Sequence, residues 1–507
     1  MIEKLKTIFS HPVLKFLGQF VLPVLFMFMV FFFYPEFSKF QVDSDEGINL
    51  MKAMLVDHGY SLYKDIWSDQ PPLFTHLLAI VFRFVGYHVG FSRFLVLLFS
   101  AMLLWAGGRF LHRVWDRQTS ILGMVLFLLL PGYLGLSAAV MIGLPSISFA
   151  MVAIWAIVEW HSRRKYPWLI VSALFMSASV LTKLFLGFLG PVICLGLLAG
   201  EYYHSGRKLK LSILVPPFIW GVIFSLILLS AGIFLVGFAN LSQLWESHLA
   251  ATDLYTLDSD YRINHYLGSA LGFVALGLIG IIDALKTRKW LALYALAWAL
   301  LAYLLLLNHY PVWSHHQLYV TIPIVLLSAA PVSGAIRTLW NLASQKVSWS
   351  LALSLQIIAL LCVFGVLLSR LPGTVGRFNL TAPWNPELGL GKWNQKLMDE
   401  ISVYKDETNW MVTDVPMYAF RKGLMVPPEL AVFSSKRLAT GDLSESEIIH
   451  VIEIYQPEQV LIGRFDLPDV IEYLEENYIK VYDKSFKDLF IRSELELIPS
   501  ESGSPQL

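Results

Sequence analysis

Asp43, Asp45 and Glu46 crowd into one stretch, Asp43-Ser44-Asp45-Glu46-Gly47, immediately after the first long apolar run of the chain. A carboxylate placed where a membrane helix meets water is a functional candidate on that ground alone. Asp43 or Ser44 can cap a helix from about Asp45 to Asp57, which Gly59 stops. Ile48, Met51 and Leu55 then form one apolar stripe, the face expected of a helix lying along a membrane surface. Asp45 and Glu46 fall in its first turn, where the helix dipole favours the ionised carboxylate and free amides can face a phosphate. An ionised Asp there can accept the proton of an incoming hydroxyl, which is general-base chemistry. The same acids are also what a helix start prefers as caps, so spacing alone leaves both readings open.

The elements that must hold this stretch are membranous. Of 507 residues 56% are hydrophobic and 15% charged, with long apolar runs from Leu17 to Leu368, more than a soluble fold uses. Spans are expected near 17–35, 91–108, 119–136, 144–160, 167–181, 184–200, 211–237, 265–283, 290–307, 316–334 and 349–369. The basic clusters Arg109 to Arg117, His161 to Lys165, Arg207 to Lys210, Lys286 to Lys289, and Arg337 with Lys346 fall on alternate loops. The positive-inside rule then puts the N-terminus and the basic loops in the cytoplasm of an inner-membrane protein. It puts two longer loops outside: the first, about 37–90, and Asn240 to Asn264, with its polar run Asp253, Asp258, Asp260, Tyr261 and Arg262. This parity requires the apolar run Leu73 to Val85 to be a partly buried helix within the first loop rather than a span. Residues 1–36 carry no small-residue cleavage signal and are expected to stay as the first span.

The zero net charge hides a split. Residues 371–507 hold 13 Lys+Arg against 22 Asp+Glu, a net −9, leaving +9 for residues 1–370. Two parts are expected: a membrane domain over 1–370 and an extracytoplasmic soluble domain over 371–499, followed by a disordered tail at 500–507. Strands are predicted at 410–413, 459–462, 479–482 and 489–492, and helices at 392–404, 444–455 and 467–478, which makes a small α/β unit. Cys194 and Cys362 lie inside apolar runs and read as small core residues. No phosphate-binding glycine loop stands out and the basic loops are explained by topology, so neither a nucleotide-driven pump nor nucleic-acid binding is favoured. The triplets Asn240-Leu241-Ser242 and Asn379-Leu380-Thr381 match a glycosylation sequon that recurs by chance.

Asp45-Glu46, Gly59-Tyr60, Asp65, Pro71-Pro72-Leu73, Gly86 and Arg93-Phe94-Leu95 resemble the first external loop of the protein O-mannosyltransferase and aminoarabinose transferase superfamily. Leu181-Thr182-Lys183 and His315-His316-Gln317-Leu318-Tyr319 are similar to two further signatures of those enzymes. The resemblance covers nearly the whole chain. It implies a GT-C fold of about eleven transmembrane helices with an outer α/β domain. It also implies an inverting glycosyltransferase that moves a sugar from a polyprenyl-phosphate carrier to an acceptor hydroxyl on a lipid, protein or polysaccharide. Asp45 then corresponds to the proposed base, with Glu46 and Asp43 beside it.

Lys183, Arg262, His316 and His315 are the basic groups assigned to the leaving phosphate, and Gln70, Arg93 and Asp69 support the first loop. Lys183 could equally snorkel to lipid headgroups, and Arg262 could pair with Asp258 or Asp260. His315 and His316 lack an evident third ligand, so spacing does not support a divalent metal.

Two departures from the family pattern stand out. Many members have Lys before the Pro-Pro pair, where this chain has Gln70. Members often place an acid in the second external loop, but Ala139 to Ser146 has none, so any such role falls to Asp43, Glu46 or Asp69. Competing readings are a lipid-linked sugar transporter or flippase, and a non-catalytic relative that binds glycan. A transporter should show mid-membrane charges or related halves, and the sequence shows neither.

Overall fold

The computed structural model describes residues 19–246, 248–250, 262–342, 351–379, 389–484 and 486–496. The expected tail at 500–507, the run Asp253 to Tyr261 and Lys346 lie outside the described residues.

Every expected span coincides with an apolar helix. Eight helices among the described residues are long and apolar enough to cross a membrane, from Val89–Val114 to Gln356–Val375. Val21–Phe33, Arg117–Leu128 and Pro167–Thr182 are shorter apolar helices at three further expected positions. Helix α1 (Val21–Phe33) leads into a first loop that contains α2 (Ser44–Asp57) and α3 (Leu73–Val85); α4 (Val89–Val114), α5 (Arg117–Leu128), α6 (Gly143–Arg163), α7 (Pro167–Thr182), α8 (Leu189–His204), α9 (Val215–Ala231), α10 (Leu271–Lys286), α11 (Leu293–Leu307), α12 (Leu318–Leu342) and α13 (Leu351–Val375) follow. Arg93 stands near the start of α4 and Arg113 near its end. At 1.5 Å per residue they are about 30 Å apart, one hydrocarbon thickness. The far end is held by Glu159, which accepts from Arg163 Nε at 2.6 Å and Arg113 Nη2 at 3.3 Å.

Asp43 caps α2 by accepting from the Asp45 amide at 3.0 Å, and Gly59 takes φ +98° where the helix stops. The half-exposed amphipathic helix of the first loop is α3, not α2 as expected. Every residue of α2 from Glu46 to Leu55 is buried, whereas α3 buries Phe74, Leu78 and Phe82 and leaves Ile80 and Phe84 exposed. The stripe of Ile48, Met51 and Leu55 is one side of a helix enclosed all round, because a second element covers the other side. That element is α15 (Met417–Lys422) near the C-terminus.

After the membrane helices come α14 (Lys392–Val403), β1 (Met411–Thr413), α15, α16 (Ser435–Thr440), α17 (Glu445–Tyr455), β2 (Gln459–Ile462), α18 (Pro468–Asn477), β3 (Ile479–Lys484) and β4 (Lys487–Ile491). The strands form one sheet in the order β1-β2-β4-β3, with β1 and β2 parallel and the other pairs antiparallel. The predicted strands and helices match these elements to within two residues, while α15 and α16 carry no clear periodic signal. One apolar cluster runs from Phe40, Leu50, Leu55 and Phe74 of the first loop to Ile401, Phe420, Val460 and Leu489. The first loop and the C-terminal unit therefore fold around a common core. Gly47 permits this contact, since a Cβ there would stand 2.7 Å from the Met417 amide nitrogen. Arg421 locks it by donating from Nη2 to the carbonyls of Phe40 at 2.7 Å and Lys39 at 3.0 Å.

Candidate functional site

A cavity of about 580 Å³ opens between the first loop, the membrane helices and the C-terminal unit. Helix α2 lends it one stripe at helical spacing: Asp45, Ile48, Asn49 and Lys52. Lys183 lines it at the end of α7 (Pro167–Thr182), His315 and His316 at the start of the helix Ser314–Thr338, and Lys436 and Arg464 from the C-terminal unit. Ile142, Leu144, Ile147, Phe185 and Leu318 make an apolar wall.

Asp45 is exposed, but the solvent it meets is that of this cavity, deep in the protein. Burial, and then the neighbouring Asp43, push its carboxyl up to about 6, against the opposing pull of Lys183 and Arg464. Cavity water screens part of that effect, but the carboxylate is still ionised at neutral pH. Among the described residues its side chain makes no hydrogen bond or ion pair.

Glu46, by contrast, faces away from the cavity. It is fully buried and receives Arg93 Nε at 2.8 Å and Nη2 at 2.7 Å, the Val42 amide at 2.9 Å and the Val140 amide at 3.1 Å. Arg93 Nη1 donates to the carbonyls of Phe37 and Lys39. The structure thus corrects the grouping of Glu46 with Asp45, since no lone pair of Glu46 is left for a substrate. Its contact with Val140, together with Asn49 Nδ2 donating to the Val140 carbonyl at 3.0 Å, fastens the acid-free second loop onto α2.

Lys183 and His316 meet at the cavity wall. The Trp313 amide donates to His316 Nδ1 at 3.1 Å, which in the neutral ring leaves the proton on Nε2. Lys183 Nζ lies 3.3 Å from that Nε2. Two donors therefore converge with no acceptor between them, and an anionic oxygen would complete the arrangement. Burial draws the Lys183 ammonium down to about 8, while Asp45 and Asp69 act in the opposite sense.

Asp69 is the hub of the opposite side. Its carboxylate pairs with Lys436 and lies 3.4 Å from His248 Nε2. Burial alone would raise its pKa, but Lys436 and His248 hold it well below the usual carboxylate range. Gln70 lines the same side, with Nε2 at 3.5 Å from His248 Nε2. Arg262, expected at the phosphate, is not among the residues that line the cavity; its guanidinium lies 5.9 Å from the ring of Tyr310, which does. Among the described residues no three His, Cys, Asp or Glu side chains converge as a metal ligand set.

Lys52, His248, Lys436 and Arg464 escaped the sequence reading. Lys52 was accessible to it, because it follows Asp45 by seven residues on the same helix face. The other three are brought in by tertiary packing, with no local signal.

No family model matches the sequence, and no curated protein matches it. Solved structures do match. ArnT from Cupriavidus metallidurans bound to undecaprenyl phosphate superposes with TM-score 0.61 at 13% identity, over 97% of this chain and 99% of that one. Its apo form gives 0.60 at 12%, over 98% and 100%. The oligosaccharyltransferase AglB from Archaeoglobus fulgidus, in complex with an inhibitory peptide and a dolichol-phosphate, gives 0.50 at 11%, over 95% and 74%. At such identities the likeness speaks for the fold. Together with its apolar helices, this makes the chain an integral membrane protein of the GT-C fold.

Proposed function

We propose that the protein is an inverting glycosyltransferase that takes a sugar from a polyprenyl-phosphate carrier. The supporting observation is the pairing, in one cavity, of an ionised carboxylate at Asp45 with the unfilled donor pair of Lys183 and His316. The solved relatives of the fold hold undecaprenyl phosphate and dolichol-phosphate, and the same ligand chemistry suits this cavity.

In the reaction, the acceptor oxygen attacks the anomeric carbon while its proton passes to the Asp45 carboxylate. The bond from that carbon to the phosphate oxygen breaks, and the leaving charge is met by Lys183 and His316. One displacement inverts the anomeric centre. The apolar wall suits the isoprenoid chain, and Arg464 and Asp43 flank the base. The active face is the outer one, with the N-terminus cytoplasmic, the membrane domain ending near residue 370 and residues 371–499 outside. The acceptor is a hydroxyl of a lipid, protein or polysaccharide.

The test is transfer of label from a panel of polyprenyl-phosphate sugars in liposomes, by wild type and Asp45→Asn. Turnover that falls 100-fold or more in the variant supports the reading, using the roughly 10²–10⁴ worth of a general base. Equal turnover in both removes Asp45 from the chemistry. Absence of turnover with every donor favours a carrier or a glycan-binding protein.

A further inference from the structure

Lys52 is a buried lysine without a partner. It is 2% exposed, it lines the cavity, and among the described residues it makes no hydrogen bond or ion pair. A buried ammonium is rarely left so, because the desolvation of the charge goes uncompensated. The obvious counter-ion, Asp69, is already engaged by Lys436 and His248. Asp45, seven residues earlier on the same face, is about 10 Å away along the helix axis.

Among the described residues the cavity lining carries the same imbalance. Lys52, Lys183, Lys436 and Arg464 stand against Asp43, Asp45 and Asp69, four cations to three carboxylates. What is missing is an anion on the Lys52 side. Burial lowers the Lys52 ammonium while Asp69 and Asp45 oppose that, and a bound anion would further favour its charged form.

We propose that Lys52 is a phosphate-binding residue of the donor site, contributed from within α2. Gln70 lines the cavity beside Asp69 and carries no charge. This rests on the glycosyl-transfer reading above and adds to it which side of the cavity holds the phosphate. The phosphate is that of the lipid carrier, a diester in the sugar donor and a monoester once the sugar has left.

Quenching of the cavity tryptophans Trp245 and Trp313 in detergent can report binding of polyprenyl phosphate, polyprenol and inorganic phosphate. Wild type should bind polyprenyl phosphate at least tenfold more tightly than polyprenol or inorganic phosphate. Lys52→Met, which keeps the side chain's length, should lose about 10- to 100-fold in affinity for the phosphate, as for one charge-assisted hydrogen bond, and nothing for polyprenol. Gln70→Lys added to Lys52→Met should recover at least a third of the lost affinity, which a merely structural lysine would not allow. In turnover the loss should fall on KM for the donor more than on kcat.

A Lys52→Met protein that discriminates phosphate from alcohol as wild type does would overturn the proposal while leaving the transferase reading intact. A wild type that does not discriminate them would overturn both. Tight inorganic phosphate binding, within tenfold of the lipid, would overturn the lipid carrier as source. If Lys52→Met does not fold, Gln70→Lys alone decides: a second cation should tighten polyprenyl phosphate at least threefold, and no change refutes the placement.

Discussion

Adjacent acids on α2 have opposite fates, and their removal should separate stability from chemistry. Glu46→Gln strips the charge from a carboxylate that accepts four donors within 3.1 Å, two from a single guanidinium. Arg93, 1% exposed, is then left as a buried cation, and the new amide points N–H groups at donors. Breaking such a pair costs about 3–5 kcal/mol, a large share of the roughly 5–15 kcal/mol that holds a folded domain. Arg93→Met should cost a similar amount. The double variant Glu46→Gln/Arg93→Met should cost less than the two singles summed, by about 2 kcal/mol or more, since no charge is orphaned.

Asp45→Asn should behave in the reverse way. The folded pKa of Asp45, about 6, lies above its ordinary 3.8, so the ionised group opposes folding. That penalty grows as pH rises from 3.8 to 6 and persists above it. The variant should therefore be at least as stable as wild type at pH 7.5, and gain nothing at pH 3.8 or below. Denaturation midpoints in mild detergent, paired with turnover per folded molecule, test both halves. Glu46→Gln should retain turnover within about tenfold once corrected for unfolded protein, against the 100-fold or greater loss in Asp45→Asn. A Glu46→Gln protein with an unchanged midpoint and no turnover would refute the assignment.

Two further outcomes follow from the same geometry. The profile of kcat/KM against pH should be bell-shaped, falling below about pH 6 as Asp45 takes its proton and above about pH 8 as Lys183 loses its own. A flat profile from 5 to 9 would exclude both groups from the free enzyme's chemistry. Gly47→Ala should destabilise the protein by about 1–3 kcal/mol through overpacking, because its Cβ would press on the Met417 backbone. Its denaturation midpoint is the measure, and Gly47→Ser should fare no better.

What the sequence made legible is what local rules govern. Apolar runs located the helices at every expected span, short apolar stretches located the four strands, and the Asp43 cap with Gly59 bounded α2 almost to the residue. Misjudging the surface helix had a physical cause. The stripe Ile48, Met51 and Leu55 is amphipathic in isolation, and only the arrival of α15, some 370 residues later, covers the opposite side. The same blindness hid half of the cavity. Lys436 sits on a six-residue helix and Arg464 on the turn after β2, with nothing periodic to mark either. Glu46 was misjudged because an acid in a first turn looks the same whether it faces solvent or an arginine 47 residues away.

The C-terminal unit is therefore tied to the site in two ways, and they reinforce each other. Its apolar core is continuous with that of α2, so the helix that carries Asp45 and Lys52 is held in place by residues 397–490 as much as by the membrane helices. Its polar edge then closes the cavity. Arg464 donates to Ser44 at 3.2 Å, beside the helix start, and Lys436 reaches Asp69 across from the first loop. Asp414 braces that edge by accepting from the amides of Gly463, Arg464 and Phe465 at 2.7–3.2 Å, which sets where Arg464 can point. A buried carboxylate satisfied by three successive amides is a rigid mount rather than a hinge. A unit that merely docked acceptors would need no such mount and no common core with α2. On these contacts the C-terminal unit is a wall of the cavity, and the position of Asp45 depends on it.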